Sequence, residues 1–214
     1  MQLSYSSLSI FKNCPRCFYL DRKLKIPRPQ GIKSGVPAAV DKILKESAVS
    51  ILGLPEGFKF YSGPDLKKMQ HWKSNPYKME DSKGNVIVGA FDDLLVNPET
   101  GELAYIDYKT TGKEPDQEFG EKYYQSQCDI YTAFLLRGGK KVASFGVLLF
   151  YWPMPGEGGT VLFKSKPILL KPNPEVAETL FKEAVALLES PKIPKPGPEC
   201  EYCNYVKNYM SVQA

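Results

Sequence analysis

Residues Val86 to Thr111 read VIVGAFDDLLVNPETGELAYIDYKTT. Two apolar runs flank the cluster Asn97-Pro98-Glu99-Thr100-Gly101, whose residue types favour a chain reversal, so the stretch predicts two antiparallel strands joined by a turn. Asp92 falls on the first strand and Asp107-Tyr108-Lys109 on the second. Side chains alternate faces along a strand, which puts Asp107 and Lys109 on the same side. Two carboxylates and an amine can then converge on one small volume. Both aspartates close buried-looking runs, Val86 to Phe91 and Ala104 to Ile106, and a carboxylate in such a place calls for a metal or a cation.

Upstream, Leu3 to Asn13 predicts a helix capped by Ser6 or Ser7, and Pro15 suits the first turn of a second helix, Pro15 to Leu24. After a proline-containing loop from Ile26 to Ser34, a helix is expected from about Pro37 to Leu52, with Val40, Ile43, Leu44 and Ile51 as its apolar stripe. Asp41 lies on the border of that stripe, placed to aim a charge into a cleft beside the core. Gly53 to Gly84 predicts irregular chain rich in Gly, Pro and Lys. It holds Trp72 and the only histidine, His71, which by itself marks no site.

Downstream, a loop from Gly112 to Gly120 leads to a predicted helix, Glu121 to Arg137, with Tyr124, Cys128, Tyr131 and Leu135 along one side and Gln127 one turn before Tyr131. Val142 to Trp152 and Thr160 to Leu170 read as strands around the turn MPGEGG. Pro174 to Ser190 reads as an amphipathic helix capped by Asn173, followed by the proline-rich arm PKIPKPGP.

At 214 residues the chain is expected to be one domain, 1–214, with ordinary globular composition. A formal charge of +4 permits a polyanionic partner without requiring one. With no leader and no apolar run of membrane-spanning length, the expectation is a cytoplasmic protein without membrane attachment. Four of the five cysteines form two C-x-x-C pairs at opposite ends, Cys14/Cys17 and Cys200/Cys203. In a reducing compartment four such thiolates suit one Zn2+ or one [4Fe-4S] cluster, which would clip the chain ends together. Cys128, on an apolar helix stripe, is expected in the core.

Carboxylates such as Asp92 and Asp107 suit a hard divalent ion, which activates water near neutral pH, while a lysine such as Lys109 orients that water or stabilises charge on a phosphoryl group. G-x-F-D at Gly89 to Asp92, D-Y-K-T at Asp107 to Thr110 and Q-x-x-x-Y at Gln127 to Tyr131, in this order and spacing, resemble the PD-(D/E)XK nuclease superfamily. Within it they are most similar to the RecB-like exonuclease branch, which includes the nuclease of CRISPR adaptation. The opening S-x-L-x-x-F-x-x-C-P-R-C-F-Y-L and the closing C-x-x-C resemble that branch too, while Gly53 to Gly84 falls outside the resemblance.

The resemblance implies an α/β fold with a restriction-endonuclease-like core, a central mixed β-sheet flanked by α-helices. It makes Asp92 and Asp107 ligands of Mg2+ or Mn2+, Lys109 the catalytic lysine, and Gln127 and Tyr131 contacts to nucleic acid or supports of the lysine. Where the branch brings a histidine to the metal, the helix here offers Asp41, with Glu46 less well placed. Cluster-bearing members use one N-terminal cysteine and three C-terminal ones; the last falls here on Tyr209, and Cys17 is the replacement available. The implied activity is hydrolysis of phosphodiester bonds in DNA, single-stranded or end-containing and cut exonucleolytically, with protein partners in a repair or defence complex. The alternative is a non-catalytic nucleic-acid-binding module on the same fold, with Tyr19, Tyr123 and Tyr124 offering stacking surfaces.

Overall fold

The computed structural model describes residues 1–31, 39–40, 42–45 and 53–212. Asp41 and Glu46 lie outside the described residues, as does most of the helix expected around them; Ala39, Val40 and Lys42 to Lys45 are helical.

A five-stranded mixed sheet carries the molecule. Its strands are β2 (Lys59–Phe60), β5 (Asp93–Val96), β6 (Leu103–Thr110), β7 (Gly146–Pro155) and β8 (Val161–Leu170), in the order β2-β5-β6-β7-β8. β5 and β6 pair antiparallel through the Asn97–Gly101 turn. Asn97 Oδ1 accepts from the amides of Glu99 and Thr100 at 2.9 and 3.2 Å, and Gly101 supplies a positive φ of 74°, so the turn forms as its residues dictate. β6 and β7 are parallel and therefore need a crossover, which the long helix α4 (Gln117–Arg137) provides.

β6 is buried on both faces. Leu103 and Tyr105 pack in the main core, whereas Ala104, Ile106 and Tyr108 join Leu95, Val147, Leu149 and Tyr151 in a second core on the opposite side. Asp107 and Lys109 therefore share the main-core face, as the twofold period requires.

The first predicted strand is in fact split. Val86–Val88 is β4 of a separate three-stranded sheet, between β1 (Gln2–Ser4, parallel) and β3 (Met79–Glu80, antiparallel), and the chain crosses to the main sheet through Gly89 to Asp92. A Cβ at Gly89 would lie 2.9 Å from Phe134 Cε2 and 3.2 Å from Tyr131 Cε1, so only glycine lets the crossing run this close to α4. Asp92 thus sits immediately before β5 and not on a continuous hairpin strand.

Helix α1 (Tyr5–Asn13) begins later than its sequence suggests. Leu3 is in β1, paired with Ile87, and the cap is Ser4, whose Oγ accepts from the Ser7 amide while Ser7 Oγ accepts from the Ser4 amide. Helix α2 (Pro15–Arg22) follows with Cys14 as its cap. The segment expected to be irregular supplies β2, the short helix α3 (Leu66–Met69) and β3.

α4 starts one turn earlier than predicted, capped by Asp116 through the Phe119 amide at 2.8 Å. Gly120 belongs inside it, because a Cβ there would meet Ile168 Cγ2 at 2.9 Å. α5 (Pro174–Glu189) lacks the predicted Asn173 side-chain cap. Asp129 of α4 accepts from the Asn173 amide at 2.7 Å instead, tying the two helices together. α6 (Glu201–Val212) follows the proline-rich arm and buries none of its residues. No helix among the described residues is long and apolar enough to cross a membrane.

Candidate active site and cysteine cluster

Asp92 is fixed by the backbone around it. The Phe91 amide donates to Met69 O at 3.1 Å, and Gln70 Nε2 donates to the carbonyl of Asp92 at 2.8 Å. Phe91 is buried edge-on against Tyr131, ring centroids 5.2 Å apart. The carboxylate accepts from the Tyr108 amide at 3.1 Å through Oδ2, which brings it beside Asp107, and from Lys45 Nζ at 2.9 Å through Oδ1.

Asp107 is only 4 % exposed. Gln127 Nε2, one helix away on α4, donates to its Oδ1 at 2.6 Å. Among the described residues its Oδ2 has only the ammonium of Lys109, with which it forms an ion pair. Burial pushes the Asp107 carboxyl up to about 6; Lys109 pulls the other way and the neighbouring Asp92 charge adds to the rise. Lys109 Nζ also lies 5.0 Å from the centroid of the Tyr124 ring, which walls it from one side.

The fold thus brings Asp92, Asp107, Lys109 and Gln127 together. Tyr131 stacks among Phe91, Tyr105 and Phe134 at the floor, and burial, reinforced by the Asp107 charge, holds its phenol protonated. Lys45 was not among the sequence candidates. The signal for it was its place four residues after Asp41 on the same predicted helix, but only tertiary structure shows the ion pair with Asp92. Tyr5 was also missed: it lines a cleft together with Tyr131, and burial and then the charges of Tyr124 and Asp107 raise its phenol to about 12. Tyr19 is buried and donates to Ser190 O at 3.0 Å, so it offers no stacking face.

This donor set fits a hard divalent cation. Two carboxylates lie side by side with one buried oxygen lacking a hydrogen bond, and two lysine ammonium groups supply positive charge to them.

At the other end of α1, the four cysteines of the two C-x-x-C pairs meet. Their sulfur atoms all lie within 4.8 Å of one another, with Cys14–Cys203, Cys17–Cys200 and Cys17–Cys203 contacts of 3.7, 3.5 and 3.7 Å. Each pair sits at a helix N-terminus, α2 and α6, where the dipole favours thiolate. Burial raises the Cys14 thiol, but amide hydrogen bonds from Gly197 at 3.2 Å and Cys17 at 3.4 Å, with the neighbouring thiols, outweigh it and bring the group to about 6. Burial pushes Cys203 and Cys17 upward. Arg28 Nη2 approaches Cys200 Sγ at 3.8 Å. Four converging sulfurs with amide donors aimed at them suit a tetrahedral thiolate-bound metal or cluster. Cys128 is apart from them, buried against Leu170 O. Tyr209 is on exposed α6, its ring stacked on Tyr205.

The PD-(D/E)XK nuclease superfamily matches residues 55–207. The chain belongs to that superfamily, and its curled mixed sheet flanked by helices is a restriction-endonuclease-like fold. The match takes in the segment from residue 55 to 84 that the sequence motifs left outside. Among solved structures, the crystal structure of SSO0001 is similar at 15% identity over 96% of this chain and 84% of that one, with a TM-score of 0.47. No curated protein matches the sequence.

Proposed function

We propose that the protein is a Mg2+- or Mn2+-dependent deoxyribonuclease of the RecB-like branch, acting exonucleolytically on single-stranded or end-containing DNA. The observation that carries this reading is the pairing of Asp107 with Lys109 on one face of β6, with the Asp92 carboxylate bonded to the intervening Tyr108 amide. Asp92 and Asp107 hold the ion, with Asp41 as the further ligand. When bound, the divalent ion supplies Lewis acidity toward a phosphoryl oxygen and hydroxide near neutral pH.

The chain's own residues do the remainder. Gln127 fixes the Asp107 carboxylate so that one oxygen stays turned toward Lys109. The Lys109 ammonium stabilises negative charge building on the phosphate and orients the attacking water. Tyr124 restricts the lysine's swing, and Tyr131 with Phe91 gives the site an aromatic floor. The cysteine cluster holds Zn2+ or a [4Fe-4S] group and joins the N-terminal helices to the C-terminal arm. Its part is structural, with protein partners in a repair or defence complex engaged elsewhere.

One observation favours a second reading, a non-catalytic nucleic-acid-binding module: Lys45 and Lys109 each satisfy one of the carboxylates without a metal. Labelled single-stranded and duplex DNA incubated with Mg2+ or Mn2+ decides between them. Metal-dependent shortening from an end, abolished in Asp107→Ala and by chelation, supports the nuclease. Metal-independent, salt-sensitive binding with no cleavage supports the module.

A further inference from the structure

The stretch from Leu66 to Lys78, LKKMQHWKSNPYK, carries four lysines and no acidic residue, interleaved with a histidine, a tryptophan and a tyrosine. None of its charged or aromatic side chains takes part in the site described above, yet it is hydrogen-bonded to the chain that bears Asp92. Met69 O accepts from the Phe91 amide, Gln70 Nε2 donates to Asp92 O at 2.8 Å, and Asn75 Nδ2 donates to Gly89 O at 3.0 Å. The segment is therefore a rigid extension of the carboxylate site.

Between this segment and the start of α1 lies an open cleft of about 370 Å3 lined by Tyr5, Ser6, Arg22, Trp72, Gly89 and Tyr131, among others. Tyr131, the floor of the carboxylate site, also lines this cleft, and Gly89 and Ala90 lead along the chain to Asp92. Trp72 is 45 % exposed, large for an indole in a folded chain, and Lys73 Nζ lies 5.4 Å from its ring centroid. Lys67 and Lys68 are exposed on the same segment, and Arg22, ion-paired with Asp21, lines the cleft.

We infer that Trp72 and this cleft form a stacking subsite for an unpaired base of a nucleic-acid strand, with Lys67, Lys68, Lys73 and Arg22 tracking its phosphates. An exposed aromatic face accepts any base whose own face is free, which a single strand offers and an intact duplex does not. The Lys73 ammonium beside the ring matches the charge of the backbone next to a stacked base. The subsite deepens the nuclease reading, since it would hold the strand next to Asp92 and Asp107, and it rests on that reading for its biological purpose but not for its binding.

The test is binding of a short labelled thymidine oligonucleotide to the full-length protein in chelator, where no metal-dependent cleavage occurs, followed by tryptophan fluorescence. The other tryptophan, Trp152, is 6 % exposed, so the change reports on Trp72. Quenching on binding is expected, with Kd raised about tenfold in Trp72→Ala and largely restored in Trp72→Phe. Lys68→Ala combined with Lys73→Ala should flatten the salt dependence by about 0.7 in log–log slope for each phosphate that is no longer neutralised. Unchanged thermal midpoints would show that these exposed substitutions leave the fold intact. Competing oligouridine and blunt duplex DNA separate DNA from RNA and single strand from duplex. Wild-type affinity in Trp72→Ala, duplex binding as tight as single-strand binding, or no binding at all overturns the subsite. If Trp72→Ala binds normally while metal-dependent cleavage persists, only the subsite fails. If Trp72-dependent binding is found but no metal elicits cleavage, the nuclease reading fails and the subsite stands.

Discussion

Gln127 donates from Nε2 to Oδ1 of Asp107 at 2.6 Å, across the contact between α4 and β6. That bond leaves the second oxygen of a nearly inaccessible carboxylate to Lys109 alone among the described residues. Hydrogen bonds that orient a metal-ligating carboxylate are worth about ten- to a hundredfold in metal affinity or activity. Gln127→Leu should therefore raise the Mn2+ concentration needed for cleavage by at least about tenfold, while circular dichroism and fold are retained. Metal titration of activity checks this, and an unchanged midpoint would reduce Gln127 to a packing residue.

Asp107 also predicts a pH dependence of stability. Burial lifts its carboxyl to about 6, against an unfolded value near 3.9. Between those values the native state binds a proton that the unfolded state has released, so stability from this group falls as pH rises from about 4 to about 6 and stays reduced above. Asp107→Asn, which keeps the shape and can still accept from Gln127, should unfold at a higher temperature than the metal-free wild type above about pH 6, with the gap closing toward about pH 4. Saturating Mn2+ should narrow the gap from the wild-type side. Thermal melts across that range decide it; a gap independent of pH would show that the buried charge is not its cause.

These relationships divide by how local their causes are. The Asn97–Gly101 turn and the shared face of Asp107 and Lys109 were legible because each depends on neighbouring residues alone. The break at Gly89 was not, since GAFD continues an apolar run and the reason to turn lies in Phe134 and Tyr131. Ser4 lost out to Ser6 and Ser7 as the expected cap because Leu3 looked helical until paired with Ile87. Asn173 reads as a cap, but Asp129 takes its amide from another helix. The cysteines were legible as pairs by spacing and as one four-thiolate set because two such pairs match a metal's ligand count, and the fold brings all four together. Lys45 shares a predicted helix face with Asp41, but its ion pair with Asp92 joins residues far apart in sequence and is set by tertiary structure. Asp41 remains an expectation from its place on the helix stripe.

Under the proposed function, Lys45 competes with the metal for Asp92. Its ammonium lies 2.9 Å from Oδ1 and is about a third exposed, a setting in which an ion pair contributes no more than about 1 kcal/mol. A divalent ion must displace it or share the oxygen. Lys45→Ala should shift the thermal midpoint little but lower the Mn2+ midpoint several-fold, seen by calorimetric titration of the intact protein. Weaker metal binding in the variant would mean instead that Lys45 helps to organise the site.

The cysteine cluster makes the sharpest contrast between variants. Four sulfurs lie within 4.8 Å of one another, and Cys14, brought to about 6 by amide and thiol hydrogen bonds, is ionised near neutral pH. Burial holds Cys17 and Cys203 protonated, so a metal bound among the sulfurs must release their protons, and metal loading is expected to fall as pH is lowered. Cys200→Ser should reduce bound iron or zinc to background, lower the thermal midpoint, and open the arm between residues 191 and 198 to proteolysis. Cys128→Ser changes a sulfur that burial holds protonated, with its pKa pushed up to about 12, and should leave metal content unchanged. Metal analysis with an absorption spectrum of anaerobically purified protein separates a brown iron cluster from colourless zinc. Wild-type protein free of both metals, with a melt indifferent to chelator, would leave the four thiols as a packing feature of the chain ends.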